Sequence, residues 1–287
     1  MNNSTVYKTV NNGYSSIATE AYSNPSQPSK SAQIATSFGY SAEQLASLPA
    51  GTNLGLSCGN PLATANLHPS ETMLDLGSGG GLDCLIAAKQ MLQAEPLPTG
   101  KIYGTDRSSK MIDLARRNAT ESNLPEGLVE FIEAPITKIP LEDASADLVV
   151  SNCVINLVPD EDKPKVFNEI YRLLRPGGRV AISDLLAKKG MPDHVRNDAA
   201  LLIGCVAGAS LLEEYRGWMI EAGFQDSDIV FVNTNADLNV YHDQTEPLSC
   251  CTPKQSCGNG PKNVDRLDFN EWVAAYQIYA VKGKGAV

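Results

Sequence analysis

Between residues 72 and 184, short apolar runs alternate with longer segments whose apolar positions recur at helical spacing. The short runs predict strands over residues 72–76, 101–106, 129–133, 146–151 and 179–183. The longer segments predict helices over residues 82–92, 110–121 and 162–174. Strands that alternate with helices in this way predict an α/β fold with a doubly wound, mostly parallel sheet.

Outside this region the pattern is weaker. Residues 1 to about 30 are polar and predict a poorly anchored arm with one short helix. Ser41 is placed to cap a helix over residues 43–48. Towards the C-terminus the pattern predicts a largely helical stretch, a further helix, a strand and an edge strand that closes the sheet, over residues 193–217, 218–223, 229–232 and 272–282.

These elements divide the chain into three parts. Residues 1–70 form an N-terminal arm and cap segment, and residues 71–185 form the central ligand-binding domain. Residues 186–287 form a smaller α+β C-terminal lobe. A chain of 287 residues with 43% hydrophobic residues is long enough to build a full core around such a sheet.

Charge and cysteine content narrow the function classes. The net charge of -10 argues against a nucleic-acid partner, because phosphate binding needs a basic face. The chain has no run of 18 or more apolar residues, so no membrane span is predicted. Its first residues lack the apolar segment of a secretory signal. The seven cysteines are therefore expected as reduced thiols in a cytoplasmic protein.

The most informative motif follows the first predicted strand and reads Met73-Leu74-Asp75-Leu76-Gly77-Ser78-Gly79-Gly80-Gly81-Leu82-Asp83. Alternate glycines let the backbone turn tightly and let a ligand lie against bare main chain. A dinucleotide fingerprint has a different glycine spacing, and its pyrophosphate avoids a nearby carboxylate. S-adenosylmethionine instead carries cationic sulfonium and ammonium groups, which suit an acidic side chain. The predicted cofactor-binding residues in this motif are Asp75, Leu76, Gly77, Ser78, Gly79 and Gly81.

Three later strand ends carry further candidate cofactor contacts. Asp106 ends the second predicted strand, just before Arg107, and a carboxylate there is able to accept hydrogen bonds from both ribose hydroxyls. Pro135 and Ile136 follow the third strand, where an adenine edge would lie, and Asn152 follows the fourth. A nicotinamide enzyme and a purely structural turn remain as alternatives. With these residues, about residues 70–185 resemble the Rossmann-like class I methyltransferases.

Three cysteines lie in segments that could meet this cofactor. Cys153 directly follows the fourth strand in Ser151-Asn152-Cys153-Val154-Ile155-Asn156-Leu157. Cys58 lies in the loop Asn53-Leu54-Gly55-Leu56-Ser57-Cys58-Gly59-Asn60-Pro61, and Cys205 lies among small residues in Ile203-Gly204-Cys205-Val206-Ala207-Gly208-Ala209. A buried cysteine is often only a small apolar residue, which is the interpretation favoured for Cys84.

The three cysteine segments resemble the arsenite S-adenosylmethionine methyltransferase family, and the resemblance covers about residues 50–225. It implies that Cys58, Cys153 and Cys205 are catalytic thiolates that hold trivalent arsenic beside S-adenosylmethionine. It also implies detoxification of arsenic and a thiol reductant such as glutathione or thioredoxin as a partner. Soft trivalent arsenic favours thiolate ligands, so the implied assignment is chemically coherent.

Two other function classes remain open. A methyltransferase of a small organic acceptor would use the same cofactor with structural cysteines, and a non-catalytic thiol protein would sequester arsenic without the cofactor. Relatives in the family commonly carry another cysteine near the N-terminus, whereas residues 1–57 contain none. Accessory thiols are an open interpretation for a C-terminal set formed by Cys250, Cys251 and Cys257.

Overall fold

The computed structural model describes residues 1–23, 28–94, 97–241 and 268–284. The strands are β1 (Thr72–Leu76), β2 (Lys101–Asp106), β3 (Val129–Glu133), β4 (Ala146–Asn152), β5 (Leu174–Ala187), β6 (Ile229–Asn233) and β7 (Val273–Val281). They form a seven-stranded sheet in the order β3-β2-β1-β4-β5-β7-β6. Strands β1 to β5 pair in parallel, whereas β7 pairs antiparallel with both β5 and β6. The predicted α/β fold with a mostly parallel sheet is confirmed.

Helices cover the sheet and connect its strands. They are α1 (Asn3–Ser23), α2 (Pro28–Ser37), α3 (Ala42–Ala46), α4 (Leu62–Ala65), α5 (Leu82–Gln93), α6 (Ser109–Glu121), α7 (Lys163–Leu173), α8 (Asp193–Arg196), α9 (Ala199–Ile203), α10 (Leu212–Ala222) and α11 (Phe269–Trp272). The predicted cap of α3 is present, because the Ser41 hydroxyl accepts a hydrogen bond from the Gln44 amide. None of the described helices combines the length and the apolar character that a membrane crossing requires.

The hydrophobic core lies on both faces of the sheet. Successive side chains of a strand point to opposite faces. Leu74 accordingly packs with Phe167 of α7 on one face, whereas Met73 packs with Ile86 of α5 on the other. A third apolar cluster, which we call the cysteine cluster, contains Cys58, Cys153 and Cys205 together with buried residues that include Ile34, Phe38, Leu157, Leu185 and Leu202.

The prediction of a poorly anchored N-terminal arm is wrong. The 21-residue helix α1 covers most of this segment and packs on α6 and α9. Its apolar residues recur at helical spacing along one face, so a mostly polar sequence still supplies a continuous buried stripe. That stripe is formed by Val6, Val10, Tyr14, Ile17, Ala18 and Ala21, which pack against the cysteine cluster and α6.

The C-terminal part also departs from the prediction at two places. The stretch 193–217 is broken into α8, α9 and an irregular segment before α10, because Asp198 caps α9 and Gly204 ends it. Strand β7 is not an edge strand, since it lies between β5 and β6, and β6 forms the edge. Strand β5 is longer than predicted, since it begins at Leu174, opposite Ala146 of β4. The division of the chain into three parts stays a prediction.

Candidate active site

A pocket opens at the carboxyl ends of β1, β2 and β4, where ligands of open α/β sheets bind. Helix α1 forms one wall of this pocket through Tyr7, Val10, Asn11 and Tyr14. Most of the predicted cofactor residues line it, namely Asp75, Gly77, Ser78, Gly79, Asp106, Arg107, Pro135, Ile136 and Asn152. The structure therefore brings residues from four separate strand ends to one cavity.

Two predicted cofactor residues do not line the pocket. The Leu76 side chain faces the core cluster that contains α7. Gly81 is the N-cap residue of α5 and has a φ of 88°. Gly77 shows why the turn needs glycine, because its φ is 68° and a Cβ atom there would lie 2.5 Å from Val154 Cγ1. The backbone at Gly77 therefore lies directly against the segment that follows Cys153.

Three carboxylates enter the pocket without a cationic partner. Asp75, Asp83 and Asp106 form no ion pair with any of the described residues. Burial raises the pKa of Asp83 and that of Asp106 to about 6 each. Burial and the neighbouring Asp83 carboxylate raise the pKa of Asp75 well above its ordinary value. Such a pocket favours a cationic ligand, which would supply the missing positive charge.

Asp106 is already oriented by the backbone around the pocket. Its Oδ2 accepts a hydrogen bond from the Gly79 amide at 3.1 Å, and its Oδ1 accepts one from the Ser108 amide at 2.8 Å. These donors oppose the effect of burial on the pKa of Asp106, because they stabilise the carboxylate form. The remaining lone pairs of this carboxylate are available to ribose hydroxyls.

Unpartnered hydroxyl groups also point to a polar ligand. Thr52 Oγ1 and Ser78 Oγ are buried pocket atoms that have no hydrogen-bond partner among the described residues. A buried hydroxyl without a partner costs about 1–3 kcal/mol, which a ligand carrying donors and acceptors would recover. S-adenosylmethionine has cationic groups for the carboxylates, hydroxyls for Asp106 and further polar atoms for these two side chains. The donor and acceptor set of the pocket therefore fits this cofactor.

Asn152 connects the cofactor pocket to the cysteine cluster. Its Nδ2 donates to the Tyr40 hydroxyl, the Gly59 carbonyl and Asp83 Oδ2, at 2.8, 2.9 and 3.2 Å. Its Oδ1 accepts a hydrogen bond from the Cys58 amide at 3.2 Å. The Tyr40 hydroxyl in turn donates to Asp83 Oδ1 at 2.6 Å. The Cys58 loop is thus fixed to the end of β4 by a polar network that also holds a pocket carboxylate.

The structure joins Cys58 and Cys153 in a disulfide with a Cα–Cα distance of 5.7 Å. The expectation that these cysteines are reduced thiols is therefore wrong for this pair. A Cα–Cα distance of this size is compatible with a disulfide. The spacing of cysteines along the chain does not show which of them the fold brings this close. Cys84 and Cys205 are free and buried. Cys84 belongs to the core, as predicted, and its thiol donates to Asp75 Oδ2 at 3.4 Å.

Cys205 lies next to this pair but is turned towards a backbone oxygen. Its thiol donates to the Cys153 carbonyl oxygen at 2.8 Å. The Cys58 and Cys153 sulfurs and a carboxylate oxygen of Asp184 lie within 4.8 Å of one another, whereas the three sulfurs do not form such a group. To share one ion, the three sulfurs need reduction of the disulfide and a closer approach of the Cys205 sulfur to the other two.

The backbone at two of the cysteines is strained. Cys153 has a φ of 59° and Cys205 has a φ of 62°, so both adopt the left-handed conformation. This conformation costs a non-glycine residue about 1–2 kcal/mol. Such outliers persist where the surrounding structure fixes them and are found preferentially at functional sites. The left-handed backbone at Cys153 and Cys205 sets the direction in which their Cα–Cβ bonds point.

Buried polar residues hold the segment that follows Cys205. Lys163 Nζ donates to the Gly208 carbonyl at 2.6 Å and to Ser210 Oγ at 2.7 Å. Beside them, Asp184 accepts hydrogen bonds from Asn156 Nδ2 at 2.8 Å and from the Tyr215 hydroxyl at 2.7 Å. Cys205 is therefore carried by a loop that a buried lysine anchors to α7.

Sequence reasoning missed the contributions of α1, Tyr40, Asp83 and Asp184. The helical spacing of Val6, Val10 and Tyr14 was a usable signal for α1. Tyr40, Asp83 and Asp184 had no comparable signal, because their partners are distant in sequence. The accessory-thiol interpretation concerns cysteines that lie outside the described residues, namely Cys250, Cys251 and Cys257.

The chain is similar in sequence to named arsenite methyltransferases. An arsenite methyltransferase of Halobacterium salinarum is 45% identical over 192 residues, which are 67% of this chain and 47% of that protein. One from Aquipseudomonas alcaligenes is 35% identical over 164 residues, which are 55% of this chain and 45% of that protein. The chain thus spans about half the length of the curated relatives it matches.

A solved structure shows the same similarity. An arsenic(III) S-adenosylmethionine methyltransferase from Chlamydomonas reinhardtii superposes with a TM-score of 0.56 and 26% identity, over 88% of this chain and 75% of that chain. These similarities confirm the resemblance to arsenite methyltransferases that the cysteine motifs predicted. A family model described as a methyltransferase domain matches residues 67–223. The chain therefore belongs to the methyltransferase domain family, with S-adenosylmethionine as its methyl donor.

Proposed function

We propose that this protein methylates trivalent arsenic, held as a thiol adduct by Cys58, Cys153 and Cys205. The observation that carries the proposal is the meeting of these three cysteines in one apolar cluster beside the cofactor pocket. Cys153 belongs to both, since it lines the pocket and lies in the cluster. The named activity of the relatives in Halobacterium salinarum and Aquipseudomonas alcaligenes supports the same substrate.

The pocket residues bind and orient the methyl donor. We assign the ribose hydroxyls to Asp106 and the cationic part of the cofactor to Asp75 and Asp83. Pro135 and Ile136 supply an apolar wall on the side of the pocket that follows β3. When bound, S-adenosylmethionine would supply an electrophilic methyl group: the arsenic lone pair would form the As–C bond while the methyl–sulfur bond breaks, and S-adenosylhomocysteine would leave with the electron pair.

The cysteines bind and orient the substrate. Three sulfur ligands leave one lone pair on trivalent arsenic, and the direction of that lone pair is set by the positions of the sulfurs. This nucleophile carries no proton, so its attack requires no general base at arsenic. The main task of the protein is then positioning, with the reacting atoms about 3–3.5 Å apart. Arsenic binding also requires reduced Cys58 and Cys153, so a reductant of this disulfide is needed, and we propose that a thiol serves as this reductant.

The test is turnover with isotopically labelled S-adenosylmethionine, arsenite and a thiol reductant, followed by arsenic speciation. We expect labelled methylated arsenic from the wild type and from Asp113→Asn, which changes an exposed side chain of α6 outside the pocket. The product should be lost, or reduced at least a hundredfold, in Cys153→Ser. Absence of a labelled arsenical from a protein that binds the cofactor would refute the proposal.

The same experiment, together with calorimetric titration of S-adenosylmethionine, separates the two alternative functions. A methyltransferase of a small organic acceptor would bind the cofactor but yield no labelled arsenical. A non-catalytic arsenic-binding protein would bind arsenite and show no heat of S-adenosylmethionine binding in calorimetry. A role in arsenic detoxification, glutathione or thioredoxin as the reductant, and the cytoplasmic location stay predictions.

A further inference from the structure

Tyr40 is a buried residue of the segment between α2 and α3, outside residues 67–223 that match the methyltransferase domain model. Its ring packs in the apolar cluster that contains Met73 and residues of α5. Its amide donates to the Ala35 carbonyl at 3.1 Å, and Asn60 Nδ2 donates to the neighbouring Gly39 carbonyl at 3.0 Å. Contacts within the chain therefore fix both the backbone and the ring of Tyr40.

The Tyr40 hydroxyl reaches the cofactor pocket through one carboxylate. It donates to Asp83 Oδ1 at 2.6 Å, and Asp83 lines the pocket, whereas Tyr40 does not. Burial raises the pKa of Asp83 to about 6, and the hydrogen bonds from Tyr40 and Asn152 oppose this rise because they stabilise the carboxylate. The hydroxyl of Tyr40 thus restrains the orientation of Asp83 and favours its charged form.

The amide nitrogen of Asn152 is surrounded by more acceptors than it has hydrogens. An asparagine Nδ2 carries two hydrogens. Here it lies 2.8 Å from the Tyr40 hydroxyl, 2.9 Å from the Gly59 carbonyl and 3.2 Å from Asp83 Oδ2. Asp83 Oδ2 is the most distant of these acceptors and is therefore the one that Asn152 holds most weakly. A cationic ligand would give this oxygen the partner that Asn152 supplies only in part.

We propose that Tyr40 is a positioning residue of the cofactor site, which holds Asp83 Oδ1 and leaves Oδ2 to the cationic end of S-adenosylmethionine. The inference rests on the proposed assignment of this end of the cofactor to Asp75 and Asp83. When a cation takes Oδ2, the hydrogens of Asn152 remain for the Tyr40 hydroxyl and the Gly59 carbonyl, so each donor has an acceptor. A segment outside the matched domain thus contributes to cofactor binding through one hydroxyl group.

The test is calorimetric titration with a pair of ligands that share the adenosine part. S-adenosylmethionine carries both cationic groups, whereas 5′-methylthioadenosine keeps the adenine and the ribose and carries neither. Tyr40→Phe, which keeps the ring, should weaken S-adenosylmethionine about tenfold, as expected for loss of a hydrogen bond to a charged group. Its effect on 5′-methylthioadenosine should be less than about twofold. In the Asp83→Asn background, its effect on S-adenosylmethionine should also be less than about twofold.

Tyr215→Phe is the matched control, because it removes a hydroxyl that donates to another buried carboxylate, Asp184 Oδ2, at 2.7 Å. Neither Tyr215 nor Asp184 lines the cofactor pocket, so the affinity for S-adenosylmethionine should stay unchanged.

Three results would overturn the inference. Equal weakening of both ligands in Tyr40→Phe would assign Tyr40 to packing alone, and an unchanged affinity for S-adenosylmethionine would remove its role altogether. Full affinity in Asp83→Asn would refute the assignment on which the inference rests. The titrations contain no arsenic, so absence of a labelled arsenical in the turnover assay would refute the proposed substrate and leave this result intact.

Discussion

The Cys205 thiol donates a hydrogen bond to the carbonyl oxygen of Cys153 at 2.8 Å, across 52 positions of sequence. Both residues have left-handed backbones, with a φ of 59° at Cys153 and of 62° at Cys205. This hydrogen bond ties the loop after α9 to the end of β4. Two of the three proposed arsenic ligands are thereby held by the same local contact before any substrate binds.

The left-handed backbone predicts an unusual order of stability at Cys205. Glycine adopts this conformation without strain, whereas alanine does not. We expect the free energy of unfolding of Cys205→Gly to be about 1 kcal/mol higher than that of Cys205→Ala. Cys84 provides the control, because it lies within helix α5. There the glycine variant should be the less stable by about 1 kcal/mol. Denaturant unfolding of the four variants measures both differences. The same order of the glycine and alanine variants at both sites would contradict a strained backbone at Cys205.

The disulfide predicts that substrate binding depends on reduction. Cys58 and Cys153 must together gain two electrons and two protons before either sulfur binds arsenic. We expect untreated protein to bind arsenite at least tenfold more weakly than protein reduced by a phosphine, which itself is not a thiol competitor for arsenic. Equilibrium dialysis gives the affinity, and peptide mapping gives the state of both cysteines.

Cys58→Ser is the control for this dependence on reduction. The variant cannot form the pair, so its weaker arsenite binding should not respond to pretreatment with the phosphine. A full response in this variant would assign the redox dependence to other cysteines of the chain.

The position of Asp106 predicts a loss of affinity that is the same for substrate and product. Ribose is common to S-adenosylmethionine and S-adenosylhomocysteine, so a contact with its hydroxyls does not depend on the methyl group. Asp106→Asn should weaken both ligands about ten- to a hundredfold, as expected for loss of charge-assisted hydrogen bonds. Calorimetric titration measures both affinities. A loss confined to S-adenosylmethionine would mean that Asp106 contacts the sulfonium instead.

The parallel half of the sheet was predictable because its signals are local. Strands β1, β2 and β3 have the predicted bounds, since each is a short apolar run closed by turn residues or a helix cap. The order of β5, β6 and β7 was not predictable, because an apolar run does not show which strands flank it. For the same reason the disulfide between Cys58 and Cys153 was missed, although both residues were predicted site residues.

The site was predictable where one segment carries several functional residues. The end of β1 and the glycine turn after it supplied four predicted pocket residues, Asp75, Gly77, Ser78 and Gly79. The hydrogen bonds of Asp83 instead come from Tyr40 and Asn152, which are 43 and 69 positions away in sequence. No pattern within one segment indicates such partners, so only the folded chain shows them.

The raised carboxyl pKa values predict how stability changes with pH. The pKa of each of three buried acids, Asp83, Asp106 and Asp184, is raised to about 6 from 3.8. The folded protein therefore binds protons more strongly than the unfolded chain, and the stability of the ligand-free protein should rise as the pH falls from 7 to 5. Glu71 and Glu169 have lowered pKa values, so their opposite effect develops only at more acidic pH, as they titrate below 4.5.

Asp106→Asn isolates one of these groups. The rise in unfolding free energy between pH 7 and 5 should be smaller by about 1 kcal/mol than in the wild type. Asp113→Asn removes an exposed carboxylate on α6 and should leave the rise unchanged. Denaturant unfolding at each pH gives the values, and a fall in wild-type stability over this range would contradict the pKa assignment.

The close approach of α1 to α9 predicts that the effect of one substitution on stability changes sign when a neighbouring side chain is removed. Gly13 lies inside α1, where alanine is favoured over glycine by about 1 kcal/mol, but its Cβ atom would meet the Ile203 side chain at 2.6 Å. We expect Gly13→Ala to lower the free energy of unfolding in the wild type and to raise it in the Ile203→Ala background. Denaturant unfolding of the four proteins measures both effects, and identical effects of Gly13→Ala in the two backgrounds would show that the two helices do not constrain each other there.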